Sequence, residues 1–140
     1  MGKSILATTE FTVTTQEGRF DISATVHLIG RDLLVAIWGG DYPHIGAVAA
    51  AQPRQSLRDP GVTSATASVI CYVGHKEDSM AKAAAEYLAA TFNTRVVVTA
   101  GIHWDNLTDA DIRQVLKNGE VLLEMIRQRG TEIFCADTES

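Results

Sequence analysis

The chain is sparing with the residues that mark a specialised environment. Its two cysteines, Cys71 and Cys135, cannot build a disulfide framework. Cys71 alternates with Ala67, Val69 and Val73, which predicts a small buried hydrophobe, and Cys135 falls in a polar tail. No apolar run approaches the roughly 20 residues that span a bilayer. Met1 to Ala7 turns polar at Thr8, too soon for a signal peptide. A myristoylation signal wants serine or threonine at position six, where Leu6 stands. Net positive charge is lacking as well: 12 Lys and Arg against 17 Asp and Glu leave −5, which favours solubility and argues against general affinity for nucleic acid. Walker loop, Rossmann fingerprint, HExxH helix and cysteine cluster are all missing. These absences predict a cytoplasmic protein with neither a membrane nor a nucleic acid as partner.

What is present is an ordinary globular composition, 46% hydrophobic and 21% charged over 140 residues. A chain of this size hides roughly two-thirds of the surface its unfolded form exposes, so one domain over residues 1–140 is expected. Glu10 to Thr15 reads as a strand. Phe20, Ile22, Ala24, Val26 and Leu28 alternate with Asp21, Ser23, Thr25 and His27, the period of a half-buried strand with His27 on its solvated face. Gly30-Arg31-Asp32 connects it tightly to Leu33–Trp38 as an antiparallel hairpin. Ile45 to Ala51, Ala65 to Val73 and Arg95 to Ala100 predict further strands, with an irregular stretch over Gln52 to Thr63. Glu77 to Thr91 carries Met80, Ala84, Tyr87 and Leu88 at helical spacing. A second helix opens at Thr108, where a threonine cap precedes Asp109 and Asp111. Its apolar face runs through Ile112, Val115, Leu116, Leu122, Leu123 and Ile126, and Arg127 and Arg129 suit its C-terminal end. After Gly130 a short strand or frayed tail is expected. The order predicts an α+β fold, a mostly antiparallel sheet of about five to six strands with two helices packed on one face. The other face, rich in Thr, Ser and Ala, is either solvated or covered by a second copy of the chain.

Three of the four histidines sit in glycine-flanked polar turns with an aspartate close by. His44 lies in Gly39-Gly40-Asp41-Tyr42-Pro43-His44-Ile45-Gly46, His75 in Gly74-His75-Lys76-Glu77-Asp78, and His103 in Gly101-Ile102-His103-Trp104-Asp105-Asn106. Each turn joins apolar runs. Three imidazoles meeting at one edge would make an open, reactive site for a divalent metal, although each histidine alone is more often a surface or packing residue. His75 and Lys76 precede a helix whose N-terminal dipole favours an anion such as phosphate, while Glu77 and Asp78 fit simple first-turn acids. Asp105 and Asn106 can orient an imidazole or hold a ligand hydroxyl. Trp104 can stack on a planar ring or serve the core. Gly39, Gly40 and Gly46 indicate tight backbone geometry or close approach of a ligand. In the loop Pro53 to Gly61, Arg54 and Arg58 can clamp a phosphate bidentately, with Ser56 adding a hydroxyl and Asp59 beside them; the plain alternative is a solvated loop.

GGDYPHIGAVAAAQPRQSLRDPG, then SVICYVGHKEDSMAKAAAEYLA and VVVTAGIHWDN, resemble in order the prenylated-flavin chaperone, or LpdD-like, domain family, from about Gly39 to Leu123. The resemblance implies a non-catalytic accessory of UbiD-type decarboxylases. Their cofactor, prenylated FMN, is made by a flavin prenyltransferase, and the accessory would hold the reduced form and deliver it to the apo-decarboxylase. His44, Arg54, Ser56, Asp59, His75, Lys76, His103, Asp105 and Asn106 match the family motifs. The expected ligand is therefore prenylated FMN. Its phosphate would lie on Arg54, Arg58, Lys76 or a helix N-terminus, and its ring under Trp104, Tyr42 or Trp38. A divalent metal on His44, His75 and His103 would bridge to it, with Asp41 or Asp105 nearby. The expected partners are the decarboxylase, the prenyltransferase and further copies of the chain in a homo-oligomer. Two other classes compete. A small metal-dependent hydrolase or lyase would use the same histidines with Asp105 or Glu77 as base, and a structural subunit would bind neither metal nor flavin.

Overall fold

A computed structural model describes residues 9–72 and 77–139. Six strands, β1 (Glu10–Thr14), β2 (Ile22–Ile29), β3 (Asp32–Gly40), β4 (Ala47–Gln55), β5 (Thr63–Cys71) and β6 (Val96–His103), form one sheet with two helices, α1 (Asp78–Phe92) and α2 (Asp109–Glu139). The strand order is β1-β2-β3-β6-β4-β5. All neighbours are antiparallel except β3 and β6, which run parallel from Leu33↔Val96 to Gly40↔His103. The α+β expectation holds.

Alternation decides which face is covered. Ile22, Ala24, Val26 and Leu28, with Leu33, Val35, Ile37, Val96, Val98 and Ala100, are buried under the helices. α1 lies on β4, β5 and β6 through Ala81, Ala84, Ala85, Leu88 and Ala89. Facing it are Ala47, Ala49 and Ala51, also buried. Small residues on both surfaces let helix and sheet approach closely, which is why this part of the chain is so rich in alanine. α2 packs on β1 and β2, with Leu122 and Ile126 wholly buried.

Three local expectations change. β4 continues through Pro53, because beyond Ala51 it pairs with β5 alone and no β6 partner needs the missing N–H. Cys71 is exposed rather than buried, since β5 is an edge strand reached only along part of its length by α1; Cys135 is exposed on α2. α2 does not stop at Gly130 but runs to Glu139, so no basic residue lies in its last turn, and Arg127 instead pairs with Glu124. Gly130 serves packing: a Cβ there would stand 2.7 Å from the Phe92 ring, which itself meets Phe134 edge-on at 5.3 Å.

The predicted threonine cap is present. Thr108 N–H donates to Asp111 Oδ2 and Asp111 N–H donates back to Thr108 Oγ1, each at 3.1 Å. His27 is half-buried on the open face and pairs with Glu10 at 3.0 Å.

α2 also clasps the turn between β1 and β2. Asn118 is fully buried, and its amide donates to the carbonyls of Arg19 and Phe20, both at 2.8 Å. Asn118→Leu leaves those carbonyls without their donor and is expected to cost about 2–3 kcal/mol in urea unfolding; an unchanged midpoint would mean water replaces the amide at no cost. Within the same turn Asp21 Oδ1 accepts from Glu17 N–H at 2.9 Å and from the Thr15 hydroxyl at 2.8 Å. These bonds, the Glu17 one foremost, hold the Asp21 carboxyl below its ordinary 3.8. A depressed folded pKa contributes stability that is complete above the unfolded value and lost as pH falls through the folded one. Unfolding midpoints taken from about pH 5 down to about pH 3 should therefore fall less steeply for Asp21→Asn than for the unaltered chain; equal slopes would remove Asp21 as a contributor.

Candidate functional site

The edge where β3 and β6 end carries the candidate site, and glycines shape it. Gly40 (φ +90°) closes β3 where a Cβ would fall 2.0 Å from the His103 carbonyl oxygen. The chain then folds over the end of β6. Asp41 N–H donates to the His103 carbonyl at 2.7 Å, and Gly46 N–H donates to that of Ala100 at 2.9 Å. At Gly101 a Cβ would sit 1.6 Å from the His44 carbonyl oxygen, so only glycine lets the His44 turn rest on β6. Gly101 and His103 share one face of the strand, so this stacking brings the two histidines together. Gly40 thus serves backbone-on-backbone contact, one of the two readings that the sequence left open for it, and Gly101 does the same.

Each imidazole is held by a carboxylate. His44 Nε2 lies 2.9 Å from Glu77 Oε1 and its Nδ1 lies 2.8 Å from the Tyr42 carbonyl oxygen. Both side chains of the pair are largely covered, His44 to 22% and Glu77 to 14% exposure. Gly46 makes room for that carboxylate, since a Cβ would meet Glu77 Oε2 at 2.3 Å. His103 Nε2 lies 2.9 Å from Asp105 Oδ1, and the Tyr42 ring stands 5.6 Å from the His103 ring. Asn106 takes a left-handed conformation (φ 58°) that turns the chain from β6 toward α2.

Two openings flank His103. A shallow one of about 390 Å³ is lined by Tyr42, Pro43, His44 and His103. A larger groove of about 540 Å³ passes between the two helices' first turns and is walled by Met80, Ile102, Trp104, Leu107, Ile112 and Leu116. Trp104 is half-buried there and braced edge-on by Phe20 at 5.1 Å. Met80 and Leu116 continue into a further apolar cavity of about 300 Å³ between α1 and α2. The result is a mouth that presents two imidazoles beside an apolar trough.

The structure therefore brings together His44, His103, Trp104, Asp105 and Asn106, and adds Glu77 as the His44 partner. That partnership spans 33 residues and had no signal in local sequence, where Glu77 reads as a first-turn acid. Arg54, Ser56, Arg58 and Asp59 lie elsewhere. β4 starts beside the histidines, with Ala47 opposite Ala100, and carries its other end away, about 26 Å along the strand at 3.3 Å per residue. Arg54 donates to the Thr66 hydroxyl at 2.7 Å and to the Gln55 carbonyl at 3.0 Å. Ser56 Oγ accepts from the N–H groups of Arg58 and Asp59, and Asp59 accepts from Gly61 N–H. These contacts order a turn. Trp38 lies on the open face of β3. His75 and Lys76 lie outside the described residues. Among the described residues no three His, Cys, Asp or Glu side chains group as a metal site, and no described helix is long and apolar enough to cross a membrane.

Such a fold makes this a small α+β protein whose candidate site sits on strand ends. Residues 16–130 match the prenylated flavin chaperone LpdD-like domain family, and the chain belongs to it. Protein LpdD of Lactiplantibacillus plantarum (strain ATCC BAA-793 / NCIMB 8826 / WCFS1) is 32% identical over 108 residues, covering 72% of this chain and 71% of the relative. Family membership gives the chain a flavin-related chaperone role, in keeping with an accessory rather than a catalytic part. Among solved structures, a chaperone complex for yeast 20S proteasome assembly shares the fold, with TM-score 0.52 at 15% identity over 90% of this chain and 99% of that one.

Proposed function

We propose that this chain binds reduced prenylated FMN at the His44–His103 edge and delivers it to a UbiD-type decarboxylase, receiving it from the flavin prenyltransferase. The observation that carries the reading is the meeting, at His103, of an opening that presents two imidazoles with an apolar trough walled by Trp104. Prenylated FMN offers groups for both: a phosphate at one end, and at the other a planar ring enlarged by an apolar one. Ring and prenyl-derived atoms fit along Trp104, Ile112 and Leu116, while the imidazoles, Asp105 and Asn106 face the polar part. His75 and Lys76, adjoining α1 in sequence, remain the candidates for phosphate charge. Arg54 and Arg58 do not reach this edge within one subunit. Both openings face solvent, as release to a second protein requires.

A bridging divalent metal is less well supported. His44 already engages both ring nitrogens, one with Glu77 and one with the Tyr42 carbonyl, so coordination would require it to leave one of them. The hydrolase or lyase reading needs that same metal. The test is anaerobic native mass spectrometry of the protein mixed with reduced prenylated FMN, followed by addition of apo-decarboxylase. A one-to-one flavin adduct that moves to the decarboxylase is expected. A protein that takes up metal but no flavin, or neither, overturns the reading in favour of the enzyme or the docking subunit respectively.

A further inference from the structure

The sheet has a second face, and the charge and shape of that face point to what covers it. Among the described residues no helix packs on the side bearing Thr12, Thr25, Leu34, Trp38, Val97 and Val48, because both helices lie on the other, and the His44 turn covers it only at its end, over Gly101. Ile29, Leu34 and Ile70 stand 63%, 37% and 70% exposed there. Its middle is free of charge, and its charges lie at the margins, where each is engaged within its own chain. Glu10 meets His27 at 3.0 Å, Asp32 meets Arg95 at 3.1 Å, and Arg54 holds the Thr66 hydroxyl. The hydroxyls are satisfied laterally too: Thr12 with Thr25, and Thr14 with Ser23, both at 2.8 Å. Such a face loses little when water leaves it.

We propose that this open face is the interface of a homodimer, the occupant being a second copy of the chain related by a two-fold axis. Two-fold packing sets a patch against itself, so like charges at its middle would meet; a face with no charge in its middle meets that condition. Size agrees. Six strands spaced about 4.8 Å apart, each about eight residues long, cover about 700 Å² per copy. A dimer then buries about 1,400 Å², within the range of specific stable interfaces. An apolar centre with a polar margin is also the usual layout of such interfaces. Toward one end the face is hollowed by about 590 Å³ between Ile29, Leu34, Ala50, Ser68 and Val97, room for side chains projecting from the other copy. The histidine edge lies at the strand ends, on the border of this face.

Sedimentation velocity of the full chain at tens of micromolar tests the proposal. The expected mass is about 30 kDa, twice the 15.1 kDa chain. Val97→Glu, in the hollow of the face, should reduce it to the single-chain mass with an unchanged far-ultraviolet circular dichroism spectrum. Ile70→Glu, too exposed to disturb the fold, should weaken association at least about tenfold, the effect of one buried unpaired carboxylate. Leu57→Glu, at 91% exposure and off the face, should leave the dimer intact. A single-chain mass for the unaltered protein overturns the proposal and leaves the face to a different protein. So does a dimer that survives both face substitutions.

Discussion

Alanine at His44 and His103 together is expected to abolish capture of reduced prenylated FMN while the chain stays folded. The two rings line one opening, and each is fixed by a carboxylate, Glu77 for His44 and Asp105 for His103. Removing a charge-assisted hydrogen bond costs about 1.5–3 kcal/mol, so each single variant should bind about tenfold to 100-fold more weakly, and the pair more weakly still. Folding should survive, because both rings sit at a strand edge and outside the core. Glu77→Gln sharpens the test: it keeps the shape beside Gly46 but withdraws the charge facing His44, and should weaken binding about tenfold. Anaerobic titration followed by flavin absorbance reads all four variants. Undiminished affinity in the double variant would move the ligand off this edge altogether.

Gly101→Ala is expected to damage both stability and binding, although it adds one methyl group. That methyl would stand 1.6 Å from the His44 carbonyl oxygen and 2.3 Å from its carbon, and backbone cannot yield as a side-chain tip can. Overpacking of this kind costs about 1–3 kcal/mol or more, which lowers the thermal midpoint by about 5–10 °C in a chain of this size. The displaced turn carries His44 with it, so affinity should fall even at temperatures where the variant is fully folded. Gly119→Ala provides the opposite sign. A Cβ there meets only the tip of Met80, at 3.6 Å, and alanine inside a helix should stabilise by about 0.5–1 kcal/mol. If the two substitutions shifted the midpoint alike, close approach at Gly101 would not be what fixes the His44 turn.

The elements were readable in the sequence wherever a residue's environment is set by its near neighbours. Alternation from Ile22 to Leu28 gave β2, the Gly30 turn gave its hairpin with β3, and Thr108 with Asp111 marked the start of α2. Gly130 misled, because a glycine that ends a helix and one that admits the Phe92 ring look the same in one dimension. Cys71 misled similarly: its parity on β5 was right, but parity does not reveal that a strand lies at a sheet edge. Of the glycine-flanked turns, those of His44 and His103 do meet at one edge. The Arg54–Asp59 turn looked equally functional, and only the direction of β4 carries it to the far end of the sheet. Glu77 escaped notice as a histidine partner because nothing local distinguishes it from a first-turn acid that serves a helix dipole.

β6 is the last strand in the chain, yet it occupies the middle of the sheet. During synthesis, β3 and β4 emerge with one edge each left bare, and they stay so until residues 96–103 have left the ribosome. Bare apolar edges pair readily with strands of other chains, so this interval is when a nascent chain is most prone to misassembly. Insertion of β6 seals both edges, and the same movement sets His103 against Gly40 and gives the His44 turn its seat on Gly101. A half-made chain therefore lacks this edge altogether, and whatever binds there can be taken up only by finished copies.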